Sequence, residues 1–288
     1  MKMLSLLALG TFIVILSCLW PQSAHEQFRR SVSVATPSPL PAATPEKLPS
    51  AKQVEKRWSS EFEFVTQSIK KTHNGIRAYE ISVDYPEIKE RTSQTVRFNH
   101  WMSRKMVTEV KRFVRLERSA EAHDRKKKLD PAPISEGLKV WFDLYYAEKR
   151  LISLRLTYSV MALGQMHPID YYETINYDLQ RGRVLNQPDV FSKGYLKAFS
   201  KYSRTYIHNT FDLSGTNDDW LNKGTEALQK NFPNWNIVPE GILIAFEDYQ
   251  IGSHSFGQVE LIIPYAELKT VLRPTHFTAA FHPVAKRM

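Results

Sequence analysis

Cysteine is almost absent from this chain: Cys18 is the single one among 288 residues. No intramolecular disulfide can form, and a thiolate zinc site has no second sulfur, so stability must come from the hydrophobic core. Glycine is scarce as well, with 11 residues, and the 16 prolines are too few for a collagen-like or broadly disordered chain. The phosphate-cradling patterns G-x-x-x-x-G-K-[ST] and G-x-G-x-x-G are missing, as is the G-x-S-x-G elbow. Nine histidines are present, but none forms His-Glu-x-x-His or a tight His-x-His pair. No cofactor and no metal are therefore expected. Acidic residues are also in deficit, with 30 Asp and Glu against 39 Lys and Arg. The resulting charge of +9 favours an anionic partner such as a membrane surface or wall polymer. No nucleic-acid-binding motif accompanies that charge, so nucleic acid is not expected.

What is present begins at the N-terminus. After Met1 and Lys2 comes "MLSLLALGTFIVILSCLW", a short positive start followed by an apolar run. This reads as a secretory signal or membrane anchor over 1–20. Cys18 ends the run in "ILSC", where Ile15 and Ser17 suit a lipoprotein box and Leu16 between them is less usual. Cys18 is thus the candidate lipidation site; an uncleaved anchor and plain secretion are the alternatives. Each version places the rest of the chain outside the cytoplasm, tethered through its N-terminus in the first two. A low-complexity segment, 21–57, follows with "TPSPLPAATPEKLPS". Proline fixes φ and removes donors, so this segment favours an extended tether, at roughly 3.1 Å per residue on the order of 100 Å long.

The folded part starts near Trp58. "EFEFVTQSIKKT" and "IRAYEISVDYPEI" alternate with period two, placing Phe62, Phe64 and Thr66 on one face and Ile81, Val83 and Tyr85 on another. Asn74-Gly75 between them signals a hairpin turn. A helix is expected over 92–118, with Phe98, Met102, Met106, Val110 and Phe113 as its core face. The polar stretch after it, including the basic run 125–128, is expected to be a solvated loop. "LKVWFDLYYAEKR", "LISLRLTYSVMAL" and "YYETINYDL" read as strands, with "RGR" at 181–183 as a turn. Helices are expected over 194–210 and 218–230, then two final strands flanking 247–258, then a short closing helix in "PYAELKTVL". This order implies an α+β fold, a mostly antiparallel sheet with helices packed on it. The expected division is an N-terminal companion region, 58–136, a C-terminal domain, 137–272, and a tail, 273–288.

The stretch "FEDYQIGSHSFG" concentrates acid, imidazole and hydroxyl between Gly252 and Gly257. A hydrolase using His254, Ser255 and a carboxylate from Glu247 or Asp248 is one reading. In an extended chain, however, His254 and Ser255 point to opposite faces, and Glu247 and Asp248 diverge in the same way. No catalytic residue is assigned on that basis. The stretch is expected to be a hairpin tip whose polar side chains have no partners.

"FEDYQIGSHSFGQVELIIPYAEL" resembles the closing signature of the extracytoplasmic domain of RsiV-type lysozyme-sensing anti-sigma factors. That domain of unknown function also accompanies a cell-wall deacetylase. The shared residues are Phe246, Tyr249, Gly252, Gly257, Val259, Ile263, Pro264, Tyr265 and Leu268. "YYETINYDLQRGRVLNQPDVF", with Asn176, Asp178, Asp189 and Phe191, resembles a second segment of the same domain. "SVDYPEI" and the helix through Asn99 resemble its usual N-terminal companion. The resemblance spans about 59–272 and implies an α+β fold and a binding rather than a catalytic role. Sigma-factor binding is not expected, because only Met1 and Lys2 precede the apolar run. The loop "LGQMHP" replaces the family's glycine-rich turn, with His167 matching that turn's histidine. The candidate ligand-binding residues are therefore His167, Tyr249, His254 and Ser255, and the expected partners are an envelope protein or a peptidoglycan fragment.

Overall fold

A computed structural model describes residues 60–130, 136–148, 150–163 and 165–274. The apolar N-terminal run, Cys18 and the proline-rich segment lie outside the described residues, as do Gly164 and the tail from 275. The fold is α+β, as its alternating and helical patterns predict. Among the described residues nine strands form two sheets: a six-stranded sheet in the order β1-β2-β3-β4-β5-β6 and a three-stranded sheet β7-β8-β9. Among the described residues no helix is long and apolar enough to cross a membrane.

The first sheet starts with β1 (Phe64–His73) and β2 (Tyr79–Ile88), paired antiparallel. Period-two alternation turns Tyr79, Ile81, Val83 and Tyr85 inward, onto helix α1 (Ser93–Lys126). That helix meets them with Phe98, Met102, Met106, Val110 and Phe113 at i, i+4 and i+3 spacing. Phe62 and Phe64 pack against the same core, whereas Thr66 is exposed rather than sharing their face. Thr92 caps α1: its hydroxyl accepts from the Thr95 N–H, while the Thr95 hydroxyl accepts from the Thr92 N–H. The helix then runs eight residues past its expected end, and the run 125–128 forms its last turn and cap instead of a free loop. The cause is tertiary. Glu121 and Asp124 look like solvated positions, but Glu121 bonds His73 at 3.0 Å and Asp124 takes the Arg77 guanidinium at 2.6 Å.

Helix α1 carries the chain over to β3 (Glu136–Glu148), which pairs with β2 in parallel, so the sheet is continuous across 136/137. Strands β4 (Leu151–Met161), β5 (Ile169–Asp178) and β6 (Arg183–Val184) follow antiparallel. A bulge between Leu144 and Tyr146 shifts the β3 register. Past it, Tyr146 joins the second core while Ala147 joins the first.

Three helices follow: α2 (Gln187–Val190), α3 (Tyr195–Thr210) and α4 (Asp218–Gly224). The helix expected over 218–230 therefore ends at Gly224, and only a 3-10 turn (Gln229–Asn231) follows. The second sheet has three strands rather than two: β7 (Trp235–Val238), β8 (Gly241–Phe246) and β9 (Val259–Pro264). The expected closing helix is a four-residue 3-10 turn (Tyr265–Leu268). Phe199 and Ile207 of α3 cover this sheet in an aromatic-rich core with Phe191, Phe232 and Phe246.

Two buried asparagines stitch the sheets together. Asn176 of β5 donates to the Trp235 carbonyl at 3.0 Å and accepts from the Ile237 N–H at 2.9 Å. One carboxamide thus serves β7 as a neighbouring strand would. Asn236 reciprocates, donating to the Ser153 hydroxyl and the Leu154 carbonyl of β4.

Candidate ligand-binding site

The β8–β9 connection, 247–258, is pinned from beneath. The Gln250 side chain donates to the Gly224 and Asn231 carbonyls at 3.1 and 2.8 Å. Thr216 donates to the Ile251 carbonyl at 2.6 Å, and the Ser253 N–H and hydroxyl both donate to Gly215 at 2.9 Å. Trp220 donates to the Tyr249 carbonyl at 3.0 Å, Ile251 is buried, and Phe256 packs on Phe211. Glycine is required where α4 meets this loop, since a Cβ on Gly224 would lie 2.1 Å from the Gln250 carbonyl oxygen. The stretch is a fixed platform and not a plain hairpin tip.

Its outward side chains are the predicted ones. His254, Ser255 and Phe256 form a 3-10 turn, so His254 and Ser255 are not on opposite faces of an extended strand. Nor is the histidine without a partner: His254 Nδ1 and Asp248 Oδ2 are 2.6 Å apart. Tyr249 stacks on the His254 ring at 5.7 Å, with 20° between the planes. Its φ is +62°, a left-handed conformation costing on the order of 1–3 kcal/mol in a non-glycine residue.

The β4–β5 loop supplies the fourth group. The His167 ring lies 6.2 Å from that of His254, with 12° between planes, although 87 positions separate the two in sequence. This loop is pinned too: Gln165 accepts from the Ala162 N–H at 2.8 Å, and Glu136 accepts from the Leu163 N–H at 3.1 Å. The result is a row of rings, His167, His254 and Tyr249, spread over two loops. Tyr249 is 45% exposed, and Met166 and Leu163 stand out beside His167 at 98% and 47%. Ser255 sits at the edge, its hydroxyl 2.7 Å from that of Ser253.

The two neighbouring acids do diverge. Asp248 holds His254, whereas Glu247 turns inward to Asn234 Nδ2 at 3.0 Å. Burial pushes the Glu247 carboxyl above its usual range, opposed by hydrogen bonds from Asn234 and the Tyr172 backbone.

Two charged clusters escaped the sequence reading. Arg155, in the middle of the apolar "LISLRLTYSV", is buried between Asp143 of β3 and Glu260 of β9. Its guanidinium lies 4.3 Å from the Tyr172 ring centre. Arg77 gathers Asp124, Glu136 and Glu117 at 2.6, 2.8 and 3.8 Å. Burial beside the Glu136 carboxyl pushes Glu117 up to about 8. The one sequence signal for Arg155 is a charge interrupting a strand at the alternate-face position.

The fold and this site define an α+β domain with a rigid, ring-bearing surface on two adjacent loops. Residues 188–266 match the family model described as "Protein of unknown function (DUF3298)", a span from α2 through β9 that includes the 247–258 platform. That segment is thus similar to the DUF3298 family over somewhat more than a quarter of the chain. The Bacillus subtilis (strain 168) peptidoglycan-N-acetylmuramic acid deacetylase PdaC is 21% identical over 209 residues, 72% of this chain and 42% of PdaC. The chain therefore spans less than half the length of that relative. A DUF3298 family member from Bacteroides fragilis NCTC 9343 has a similar fold, with a TM-score of 0.56 at 18% identity, covering 77% of this chain and 98% of that one. A DUF3298 protein from Pseudomonas aeruginosa PAO1 matches with a TM-score of 0.48 at 16% identity, over 74% and 95%.

Proposed function

We propose that this protein is a non-enzymatic binding module on the outer side of the cytoplasmic membrane, and that its ligand is a cell-wall glycan. The observation that carries this reading is the His167–His254–Tyr249 row on two pinned loops. Flat rings offer faces to the C–H side of a pyranose, while the Ser255 hydroxyl at the edge suits sugar hydroxyls. Because the backbone is already fixed, little ordering entropy is lost on binding. The +9 charge suits an anionic wall, and the similarity to a peptidoglycan deacetylase points to the same compartment. The apolar segment with Cys18 and the proline-rich stretch would serve as anchor and tether. The closing signature through Pro264 and Tyr265 supports reading this domain as RsiV-type.

The test is calorimetric titration of the purified protein with muropeptides and chito-oligosaccharides, alongside retention on intact sacculi. Tyr249→Ala and His254→Ala are expected to weaken binding at least about tenfold, or 1.4 kcal/mol, with little change in melting temperature. If the wild type shows saturable binding to none of these at low and moderate salt, the reading fails. Saturable binding to lysozyme alone would make a protein the ligand.

The 2.6 Å Asp248–His254 pair favours a second reading, a wall hydrolase. Against it, the Ser255 hydroxyl bonds Ser253, and it must rotate before His254 could take its proton. Release of wall fragments that stops in His254→Ala while sacculus binding persists would establish this alternative.

A further inference from the structure

The second sheet covers only part of the first. Its polar contacts reach Ser153, Leu154 and Arg155 of β4 and Thr174 and Asn176 of β5. Beyond them, on the face opposite α1, an unbroken row of paired residues crosses five strands: Lys70, Ser82, Lys139, Ser159 and Asp170. Lys70, Lys139 and Asp170 are exposed, and the two serines are half-buried. The adjoining row is Trp141, Thr157 and Tyr172. Trp141 leaves 40% of its surface in water in the middle of a sheet, where a large aromatic normally finds cover. Thr157 and Tyr172 of the same row are buried, Tyr172 against the Arg155 guanidinium that Asp143 and Glu260 fix in turn.

We propose that this open sheet face is a second binding surface, and that it takes a carboxylate-bearing glycan strand of the wall. The inference rests on the wall-glycan reading and extends it to a patch outside the ring row. Trp141 stacks on a pyranose face, Ser82, Ser159 and Asp170 bond to hydroxyls, and Lys70 and Lys139 take carboxylates. Strands are about 4.8 Å apart, so the two lysines, two strands apart, stand roughly 10 Å from one another. That interval is close to one disaccharide repeat of a β-1,4-linked chain. The face alternates charge with hydroxyl, which suits an extended polysaccharide better than a peptide needing apolar side-chain pockets. The row ends on Asp170, near the start of β5, just after the loop that carries His167. One glycan strand crossing the sheet therefore runs toward the ring row.

The experiment titrates the full-length protein with soluble muropeptide oligomers and with neutral N-acetylglucosamine oligomers of the same length. Trp141→Ala is expected to weaken both at least tenfold, and Trp141→Phe to restore part of the loss. Lys70→Ser with Lys139→Ser is expected to remove the preference for the charged oligomer and flatten its salt dependence. Melting curves establish that each variant is folded, and the exposed lysine pair tests the site even if Trp141→Ala is not. A wild type that binds muropeptides, loses them in Tyr249→Ala and keeps them in every sheet-face variant overturns this inference and leaves the functional reading standing. A wild type that binds neither oligomer overturns both. Tighter binding of a phosphate-bearing wall polymer than of muropeptides overturns the assignment to carboxylates.

Discussion

Replacing Asn176 by alanine tests how the two sheets are held together. Asn176 is 1% exposed, and its side chain bonds both the Trp235 carbonyl and the Ile237 N–H. Alanine leaves two backbone groups of β7 unpaired in a dry interface, each costing about 1–3 kcal/mol. The neighbouring Trp235 N–H still has the Thr174 hydroxyl at 3.1 Å, so the strand loosens without being released altogether. A loss of about 3 kcal/mol is expected, with a melting temperature lower by roughly 6–12 °C for a domain of this size. Urea unfolding followed by tryptophan fluorescence reads it as a lower midpoint with an unchanged slope. Asn217→Ala provides the contrast: it is an exposed helix cap bonded to the Trp220 N–H, worth about 1 kcal/mol. If Asn176→Ala costs no more than Asn217→Ala, the carboxamide is not acting as a surrogate strand and the account of the sheet junction is wrong.

The Glu117 carboxyl, raised from an ordinary value of 4.5 to about 8, holds a proton that the unfolded chain gives up. The folded state therefore binds more protons between those values, and stability falls as pH rises from about 4.5 through 8. Glu117→Gln should flatten that slope in melting curves across the range; an unchanged slope would remove Glu117 as its source. Gly224→Ala drives a methyl to 2.1 Å from the Gln250 carbonyl, beneath the ring platform. It should cost at least about 2 kcal/mol and weaken glycan binding more than loss of fold alone explains, measured by titrating the folded fraction below the melting transition. Wild-type affinity in folded Gly224→Ala would show that the platform tolerates a moved backbone.

Elements carried by local pattern were legible in the sequence, and elements carried by tertiary partners were not. The i, i+4 row from Phe98 to Val110 and the alternation of β2 each bury one face, so period alone located them. The last turns of α1 are polar and are held by His73 and Arg77, whose partners Glu121 and Asp124 lie 48 and 47 positions further on. Strand β7 is four residues long with a polar Asn236 inside it, and its support comes from Asn176 across the sheet junction. At the site, His167, Tyr249, His254 and Ser255 were all named from sequence as candidates. What the sequence withheld was the 3-10 turn at His254, over the packed Phe256 and Ile251, and the approach of the β4–β5 loop, which Gln165 and Glu136 hold.

The fates of Glu247 and Asp248 bear on what chemistry the platform can perform. Hydrolysis of a glycosidic bond ordinarily calls for two carboxyl groups facing one another across the substrate. Here the chain offers adjacent acids and spends one of them indoors: Glu247 is bonded to Asn234, and burial favours its protonated form. Asp248 is left to orient His254, whose ring stacks with those of His167 and Tyr249. Stacking energy is spread over ring faces and requires no proton transfer. Replacing His254 by phenylalanine separates the two uses of that position. The ring face survives and the nitrogens do not, so a stacking site retains most of its sugar affinity while any acid–base chemistry at that position is abolished.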